Sequence, residues 1–150
     1  MITLAVSNQK GGVGKTTTCI NLAAELGRLG FSVLSVDIDP QANCTSGLGV
    51  ALPPQSPSLY NLLLGAVPAG AAILKTKWKG VSILPATLDL AGAEIELSST
   101  ISRETKLRRV VSSITGFDIA IRDCPPSLGM LTVNALVAAD KLIIPIQCEY

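Results

Sequence analysis

The feature that most constrains this chain is a glycine-rich stretch near its start, Gln9-Lys10-Gly11-Gly12-Val13-Gly14-Lys15-Thr16-Thr17-Thr18. An apolar run at 2–6 precedes the stretch and apolar residues at helical spacing follow it, which predicts a strand, a loop and a helix. Glycines permit tight turns and a close approach of backbone to ligand, and the amides of a helix N-terminus attract anions. We therefore predict a P-loop, in which Lys15 reaches phosphates and the Thr16 hydroxyl coordinates the magnesium ion of a nucleoside triphosphate.

The stretch departs from the general P-loop pattern at its first position. The pattern G-x-x-x-x-G-K-[ST] places a glycine where this chain has Gln9, with Lys10 beside it. A glycine-rich turn without a ligand is the alternative, but the flanking strand and helix favour a phosphate site. Lys10 is either a surface lysine of the turn or a cation supplied to a partner subunit's nucleotide, in the manner of an arginine finger. The second interpretation predicts a nucleotide-dependent dimer.

Composition narrows the possible classes. A chain of 150 residues with 48% hydrophobic content predicts one domain, residues 1–150, with a substantial core. The net charge of +1 provides no overall electrostatic reason to bind nucleic acid or a membrane. The chain has no histidine and no Cys-x-x-Cys pair, which argues against zinc sites and histidine-based triads. The start of the chain has no basic region typical of a signal peptide, so we expect a cytoplasmic protein.

The rest of the chain alternates strands with helices. Strands are predicted at 2–6, 31–36, 81–84, 118–122 and 141–146, and helices at 15–29, 58–64, 69–74, 88–97, 103–114 and 128–139. A long loop at 40–58 carries a short helical turn near 45–48. This order favours an α/β fold, a parallel P-loop sheet with helices on both faces.

Three aspartates follow predicted strands. Because the carboxyl ends of parallel strands meet at one edge, we expect Asp37, Asp39 and Asp123 to converge on the P-loop. Asp123 precedes two prolines at the end of an apolar strand, which suits a Walker B acid near magnesium. Asp37 and Asp39 are candidates for orienting an attacking water, with a turn or helix-cap aspartate as the alternative for each. Cys124, next to the Walker B candidate, is the thiol whose reactivity is worth testing.

Three separated segments together resemble one family. They are residues 8–17, residues 36–49 (VDIDPQANCTSGLG) and residues 123–136 (DCPPSLGMLTVNAL), and residues 145–150 are similar too. The chain resembles the ParA/Soj-type partition ATPases, whose deviant Walker A loop has a second lysine at its start. The Asp-Pro-Gln-x-Asn form of the second segment favours the partition branch over MinD-like membrane ATPases. A MinD-like protein would also require a C-terminal amphipathic helix.

The resemblance implies a role for each matching residue. The implied nucleotide-binding residues are Lys10, Gly11, Gly12, Val13, Gly14, Lys15, Thr16 and Thr17. The implied magnesium residues are Thr16 and Asp123, and the implied catalytic residues are Lys10, Asp39 and Asp37. In this scheme Lys10 reaches the partner's nucleotide, Thr17 contacts a phosphate oxygen and Asp39 positions or activates water.

The resemblance also implies cofactors and partners. These are ATP with Mg²⁺, an ATP-dependent sandwich homodimer, nonspecific DNA and a ParB-type protein that stimulates hydrolysis. The protein would then be nucleoid-associated and would move a plasmid or a chromosome origin, with no membrane partner. DNA binding would depend mainly on residues that this chain lacks, and the basic segment 103–109 is better explained as a solvated helix face.

Two departures from the family pattern stand out. Arg122 occupies a central strand position where the family has an apolar residue, and a buried unpaired charge costs several kcal/mol. The chain also stops at Tyr150, where family members continue, so we expect an apparently truncated sheet with the apolar strand 142–146 at its edge. The alternative function is therefore a nucleotide-binding module without turnover or DNA binding.

Overall fold

A computed structural model describes residues 1–98 and 100–148 of the chain. Its strands are β1 (Ile2–Val6), β2 (Val33–Asp37), β3 (Leu74–Lys75), β4 (Val81–Leu84), β5 (Ile119–Asp123) and β6 (Lys141–Ile143). Its α-helices are α1 (Lys15–Arg28), α2 (Asn43–Gly47), α3 (Leu59–Leu63), α4 (Leu90–Ser98), α5 (Lys106–Ser112) and α6 (Met130–Val137). The described residues also form two 3-10 turns, Ala69–Ala72 and Arg103–Thr105.

The strands form one sheet in the order β3-β4-β2-β5-β1-β6. All neighbouring pairs from β4 to β6 are parallel, which confirms the predicted parallel sheet. The prediction was wrong at 69–74, where a 3-10 turn and strand β3 replace a helix. Strand β3 pairs antiparallel with β4, so the described residues form a six-stranded sheet rather than the five-stranded one predicted. With two residues, β3 is too short to show an apolar periodicity of its own.

Helices cover both faces of the sheet, as predicted. Helices α1 and α2 pack on the face formed by Val6, Ile83 and Ile121, where Cys19 and Ala23 of α1 are fully buried. The remaining helices, α3 to α6, pack on the opposite face over a larger cluster that includes buried Leu34, Val36, Leu97, Leu107 and Leu131. Burial of one such side chain contributes about 1.5–3 kcal/mol, so both layers hold the sheet in place.

Strand β6 forms one edge of the sheet. Among the described strands it pairs with β1 alone, and Leu142 within it and Ile144 just after it are 48% and 54% exposed. This confirms the predicted position at the edge, but the strand ends at Ile143 rather than at Ile146 as predicted. Two residues of the similar segment 145–150, Glu149 and Tyr150, lie outside the described residues. No helix within the described part of the chain has the length and apolar character needed to cross a membrane.

Candidate functional site

The glycine-rich loop connects β1 to α1 at the carboxyl edge of the sheet. Gly12 and Gly14 adopt φ values of 73° and 90°, which L side chains rarely adopt, so glycine is required there. A Cβ added at Gly11, Gly12 or Gly14 would meet no heavy atom within 4 Å. Helix α1 begins directly after this loop, at Lys15. The loop and the helix N-terminus therefore form an open concave cradle, which is the arrangement that binds anions.

The two lysines of the loop lie in different environments. Lys15 is only 7% exposed, and its Nζ donates a hydrogen bond to the Lys10 carbonyl oxygen at 3.1 Å. The Lys10 side chain is exposed, and within residues 1–98 and 100–148 its ammonium has no hydrogen-bond or ion-pair partner. Lys15 is thus held inside the loop by a hydrogen bond, whereas the Lys10 side chain is exposed.

Two residues that the sequence analysis did not single out connect the loop to the chain after β6. Asn8 accepts a hydrogen bond from the Lys10 amide at 2.9 Å, and its Nδ2 donates to the Pro145 carbonyl at 2.8 Å. Gln147 Nε2 donates to the Gly12 carbonyl at 3.2 Å. These contacts hold the loop from the edge-strand side, and no local motif indicates them because the partners are more than 130 residues apart.

A cavity of about 290 Å³ lies over the loop. It is lined by Gly11, Gly12, Gly14, Lys15, Thr16, Thr17, Asp39, Asn43 and Pro126. Seven of these were predicted site residues, and Asn43 and Pro126 were not. Four other predicted residues, Lys10, Val13, Asp37 and Asp123, do not line this cavity. Val13, within the loop, is buried.

Asp123 lies fully buried at the end of β5. It is in register with Val6 of β1 and Asp37 of β2, as the shared-edge argument predicted. The Cys19 thiol donates to its Oδ1 at 3.6 Å, while its Oδ2 is buried and has no hydrogen-bond partner in the described part of the chain. Burial raises the pKa of Asp123 to about 6, against the opposing influence of Thr16 and Cys19.

Asp37 is also fully buried, but both of its carboxylate oxygens have partners. Its Oδ2 accepts hydrogen bonds from the Thr45 amide at 2.8 Å and the Thr45 hydroxyl at 2.7 Å, and its Oδ1 accepts one from the Asp39 amide at 3.2 Å. Burial raises the pKa of Asp37 to about 7, although the bonds from Thr45 oppose the shift. Through these bonds Asp37, at the end of β2, holds the Asp39 backbone and Thr45 of α2 against the sheet.

Asp39 is the acid that faces the cavity. Its Oδ1 accepts a hydrogen bond from the Gln41 amide at 2.9 Å, and the residue is 9% exposed. One oxygen of its carboxylate is thus held by the loop, and the residue lines the same cavity as Gly11, Gly12 and Gly14. The structure brings the predicted acids to one edge, where they have different surroundings.

Two residues next to these acids, Thr45 and Cys124, have well-defined surroundings. Thr45, which sequence analysis placed only in a helical turn, also accepts a hydrogen bond from the Ala86 amide at 3.2 Å and so connects α2 to the end of β4. Cys124 is 1% exposed, and burial raises its pKa to about 12. The thiol predicted to be worth testing is therefore protonated and inaccessible at neutral pH.

The arrangement fits a phosphate group accompanied by a hard divalent cation. The open cradle and the buried Lys15 ammonium suit phosphate oxygens. The partnerless Oδ2 of Asp123 is an acceptor suited to a water molecule of a cation's ligand shell. No group of three His, Cys, Asp or Glu side chains within residues 1–98 and 100–148 is arranged to hold a metal. Mg²⁺ suits such a site because it retains waters and phosphate ligands rather than requiring an all-protein cage.

Comparison with known proteins identifies the family. The AAA domain family model matches residues 1–150. The chain belongs to the AAA domain family. It is 51% identical over 148 residues to the sporulation initiation inhibitor protein Soj of Bacillus subtilis, covering 98% of this chain and 58% of that protein. It is 47% identical over 150 residues to the chromosome partitioning protein ParA of Caulobacter vibrioides, covering 98% of this chain and 56% of that protein.

Solved structures of related proteins share the fold of this chain. Cobyrinic acid a,c-diamide synthase from Mycobacterium smegmatis, crystallised with an ATP analogue and magnesium, superimposes with a TM-score of 0.94 at 48% identity, covering 100% of this chain and 62% of that chain. McdA from Cyanothece has a TM-score of 0.92 at 32% identity, covering 97% of this chain and 57% of that chain. The chain thus spans little more than half the length of these relatives.

Proposed function

We propose that this chain is the nucleotide-binding part of a ParA-type partition ATPase, which binds Mg²⁺-ATP and hydrolyses it during plasmid or chromosome segregation. The observation that carries the proposal is that the glycine cradle, Lys15, Thr16 and Asp39 all line one cavity. The partnerless carboxylate oxygen of Asp123 lies nearby. The partition role is supported by the similarity to Soj and ParA.

The residues of the cavity have separate roles in this proposal. The amides of the Gly11 to Gly14 loop and the Lys15 ammonium bind the phosphates, and Thr17 contacts a phosphate oxygen. The Thr16 hydroxyl and Asp123 hold the magnesium site, Thr16 as a ligand and Asp123 through its free Oδ2. When bound, Mg²⁺ neutralises charge that develops on the phosphate oxygens.

The two acids at the end of β2, Asp37 and Asp39, have different roles in this proposal. Asp39 orients the attacking water, because it faces the cavity and one of its oxygens is held by the loop. Asp37 is a positioning residue, because Thr45 and the Asp39 amide occupy its carboxylate. In this scheme Asp37 keeps Asp39 in place rather than contacting the nucleotide.

Lys10 contributes to the site of a second copy of the chain. Its carbonyl oxygen holds Lys15, but its exposed ammonium forms no hydrogen bond or ion pair within the described residues of its own chain. Two lysines flanking one loop do not easily serve one phosphate from one side, so Lys10 reaches the nucleotide of the facing subunit. The proposal therefore includes an ATP-dependent homodimer.

The proposal extends to partners and location. Nonspecific DNA and a ParB-type protein would act on the dimer, and the protein would be cytoplasmic and nucleoid-associated. The ATPase domain would comprise residues 1–150 together with the further segments that the relatives carry. The similarity to ParA and Soj supports these partners.

The test is an assay of ATP binding and phosphate release on the complete gene product, with and without DNA and the cognate ParB-type protein. Lys15→Ala is expected to abolish ATP binding. Lys10→Ala is expected to bind ATP as a monomer but to lose dimerisation and hydrolysis. Lys75→Ala, which removes an exposed lysine from β3 at the opposite edge of the sheet, is the matched control.

Three outcomes would contradict parts of this proposal. Wild-type phosphate release by Lys10→Ala would exclude the trans-acting lysine. ATP binding without phosphate release, with or without DNA and the ParB-type protein, would leave only a nucleotide-binding module. Phosphate release that neither DNA nor the ParB-type protein stimulates would contradict the partition role.

A further inference from the structure

A second polar cavity lies at the amino edge of the sheet, away from the glycine-rich loop. Its volume is about 310 Å³, and Met1 and Thr3 at the start of β1 line it together with Asp140, just before β6. The other lining residues are Arg108, Val111, Ser112, Ile114, Arg122 and Ala138. Since the loop follows the carboxyl end of β1, the two cavities are at opposite ends of the same strand.

Arg122 supplies the buried charge of this cavity. Its Cα is in register with Ala5 and Val36 in the two strands that flank β5. Successive side chains of a strand point to opposite faces. Asp123 contacts Cys19 of α1, so Arg122 points to the other face, where α5 and α6 pack. The residue is 1% exposed, and its side chain reaches the cavity between these helices and the sheet.

The guanidinium of Arg122 lacks partners. Its Nε and Nη1 atoms are buried and have no hydrogen-bond acceptor among residues 1–98 and 100–148. Burial lowers the pKa of Arg122 to about 10, so the group remains protonated at neutral pH. A buried cation without an acceptor is strongly unfavourable, and native structures satisfy such donors.

Asp140, the acid that lines the cavity, forms no hydrogen bond with these donors. The Asp140 carboxylate accepts hydrogen bonds from the Thr3 amide at 2.9 Å and from the Thr3 hydroxyl at 2.7 Å, both on Oδ2. It forms no ion pair with Arg122 within the described part of the chain. The ionisable side chains that line the cavity are Asp140 and the arginines 108 and 122. Positive charge is therefore in excess, with one of the two cations buried and the other at the exposed rim.

We infer that this cavity is a binding site for a small oxyanion, a phosphate or a carboxylate group, whose oxygens accept hydrogen bonds from Nε and Nη1 of Arg122. Arg108, on the exposed side of α5, closes the site from the rim. Guanidinium groups are the donors best suited to such oxyanions, because their hydrogen bonds are directional and charge-assisted. The site is separate from the proposed ATP site, so both ligands bind at once.

The direct test is the NMR signal of the Arg122 Nε–Hε group, assigned by its disappearance in Arg122→Lys. Inorganic phosphate and, separately, acetate are titrated at constant ionic strength. We expect a saturable shift of this signal with at least one of the two anions, and the preferred anion identifies the ligand class. Because the signal reports on Arg122 itself, phosphate binding at the glycine-rich loop does not mimic the result.

Matched variants distinguish the site from general charge effects. Arg108→Met is expected to weaken anion binding at Arg122 roughly tenfold, the loss typical of one charge-assisted hydrogen bond. Arg109→Met is the control, because Arg109 lines a different cavity on the other side of α5 with Leu62 and Val67. Lys15→Ala should leave the shift at Arg122 intact.

A thermal measurement provides an independent check. In the Lys15→Ala background, added phosphate or acetate should raise the melting temperature, and a further Arg122→Met substitution should remove that rise. Methionine fills a similar volume without a charge, so this variant should fold. The inference is overturned if neither anion shifts the Arg122 signal, or if Arg108→Met binds the anion as tightly as Arg109→Met does.

Discussion

The hydrogen-bond network of Thr45 offers a quantitative test of the candidate site. The Thr45 hydroxyl donates to Asp37 at 2.7 Å and accepts from the Ala86 amide at 3.2 Å, and the residue is 3% exposed. Thr45→Val keeps the side-chain volume but removes both bonds and leaves the Ala86 amide without this acceptor. A hydrogen bond to a charged group contributes about 1.5–3 kcal/mol, and an unsatisfied buried donor costs about 1–3 kcal/mol.

We therefore expect Thr45→Val to lower the free energy of unfolding by about 2.5–4 kcal/mol, the lower part of the summed range, because the Asp37 carboxyl can take up a proton. The hydroxyl of Thr45 opposes the raised pKa of Asp37, so its loss should raise that pKa further. The assay is equilibrium unfolding in urea, monitored by circular dichroism. It is run without nucleotide at neutral pH.

Thr45→Ser provides the matched control. Serine keeps the hydroxyl and loses only one methyl group, which should cost about 1 kcal/mol. If hydrogen bonding dominates, the valine variant is less stable than the serine variant. If the valine variant equals or exceeds the serine variant in stability, packing of the methyl group dominates, and the assignment of Thr45 as the residue that anchors α2 is refuted.

Two further predictions concern the buried acids and the packing of α1. Burial raises the pKa values of Asp123 and Asp37 from 3.8 to about 6 and about 7, so in the nucleotide-free protein the folded state holds protons that the unfolded state has released. The contribution of these two carboxyl groups to stability thus falls as pH rises from about 4 to about 7. The free energy of unfolding of Asp123→Asn, relative to that of the wild type, should therefore increase over this range by up to about 3 kcal/mol. A difference that stays constant in urea unfolding across these pH values would contradict the shifted pKa. Gly27→Ala should lower the free energy of unfolding by about 1–3 kcal/mol, because the new Cβ would overlap the backbone carbonyl oxygen of Lys79, just before β4. Gly70→Ala, whose Cβ would meet nothing within 4 Å, is the control, and equal melting temperatures for both variants would exclude this close contact.

Local patterns predicted most of the fold. The apolar runs at 2–6 and 81–84 coincide with β1 and β4, because a buried parallel strand requires a continuous apolar segment. The start of α1 at Lys15 follows from the loop motif itself. Strand β3 was missed because it has two residues and exists only through its pairing with β4.

The candidate site divides in the same way. The glycine-rich loop is recognisable because its function requires particular residues at adjacent positions. Strand ends also brought the three acids to one edge. The distinction between Asp37, bound by Thr45, and Asp39, lining the cavity, depends on how α2 packs on the sheet. That packing joins segments distant in sequence, so no local pattern reports it.

Sequence by itself determined the loop, the parallel α/β architecture and the presence of a charge at Arg122 in a central strand. These are properties of short segments, since residue type and spacing decide backbone conformation and burial. Only the tertiary structure decided which groups meet: Asp123 has a free oxygen beside the loop, and Arg122 has no acceptor among the described residues. The positions of α1, α5 and α6 decide which side chains these two groups can contact, and those positions result from packing of the whole core.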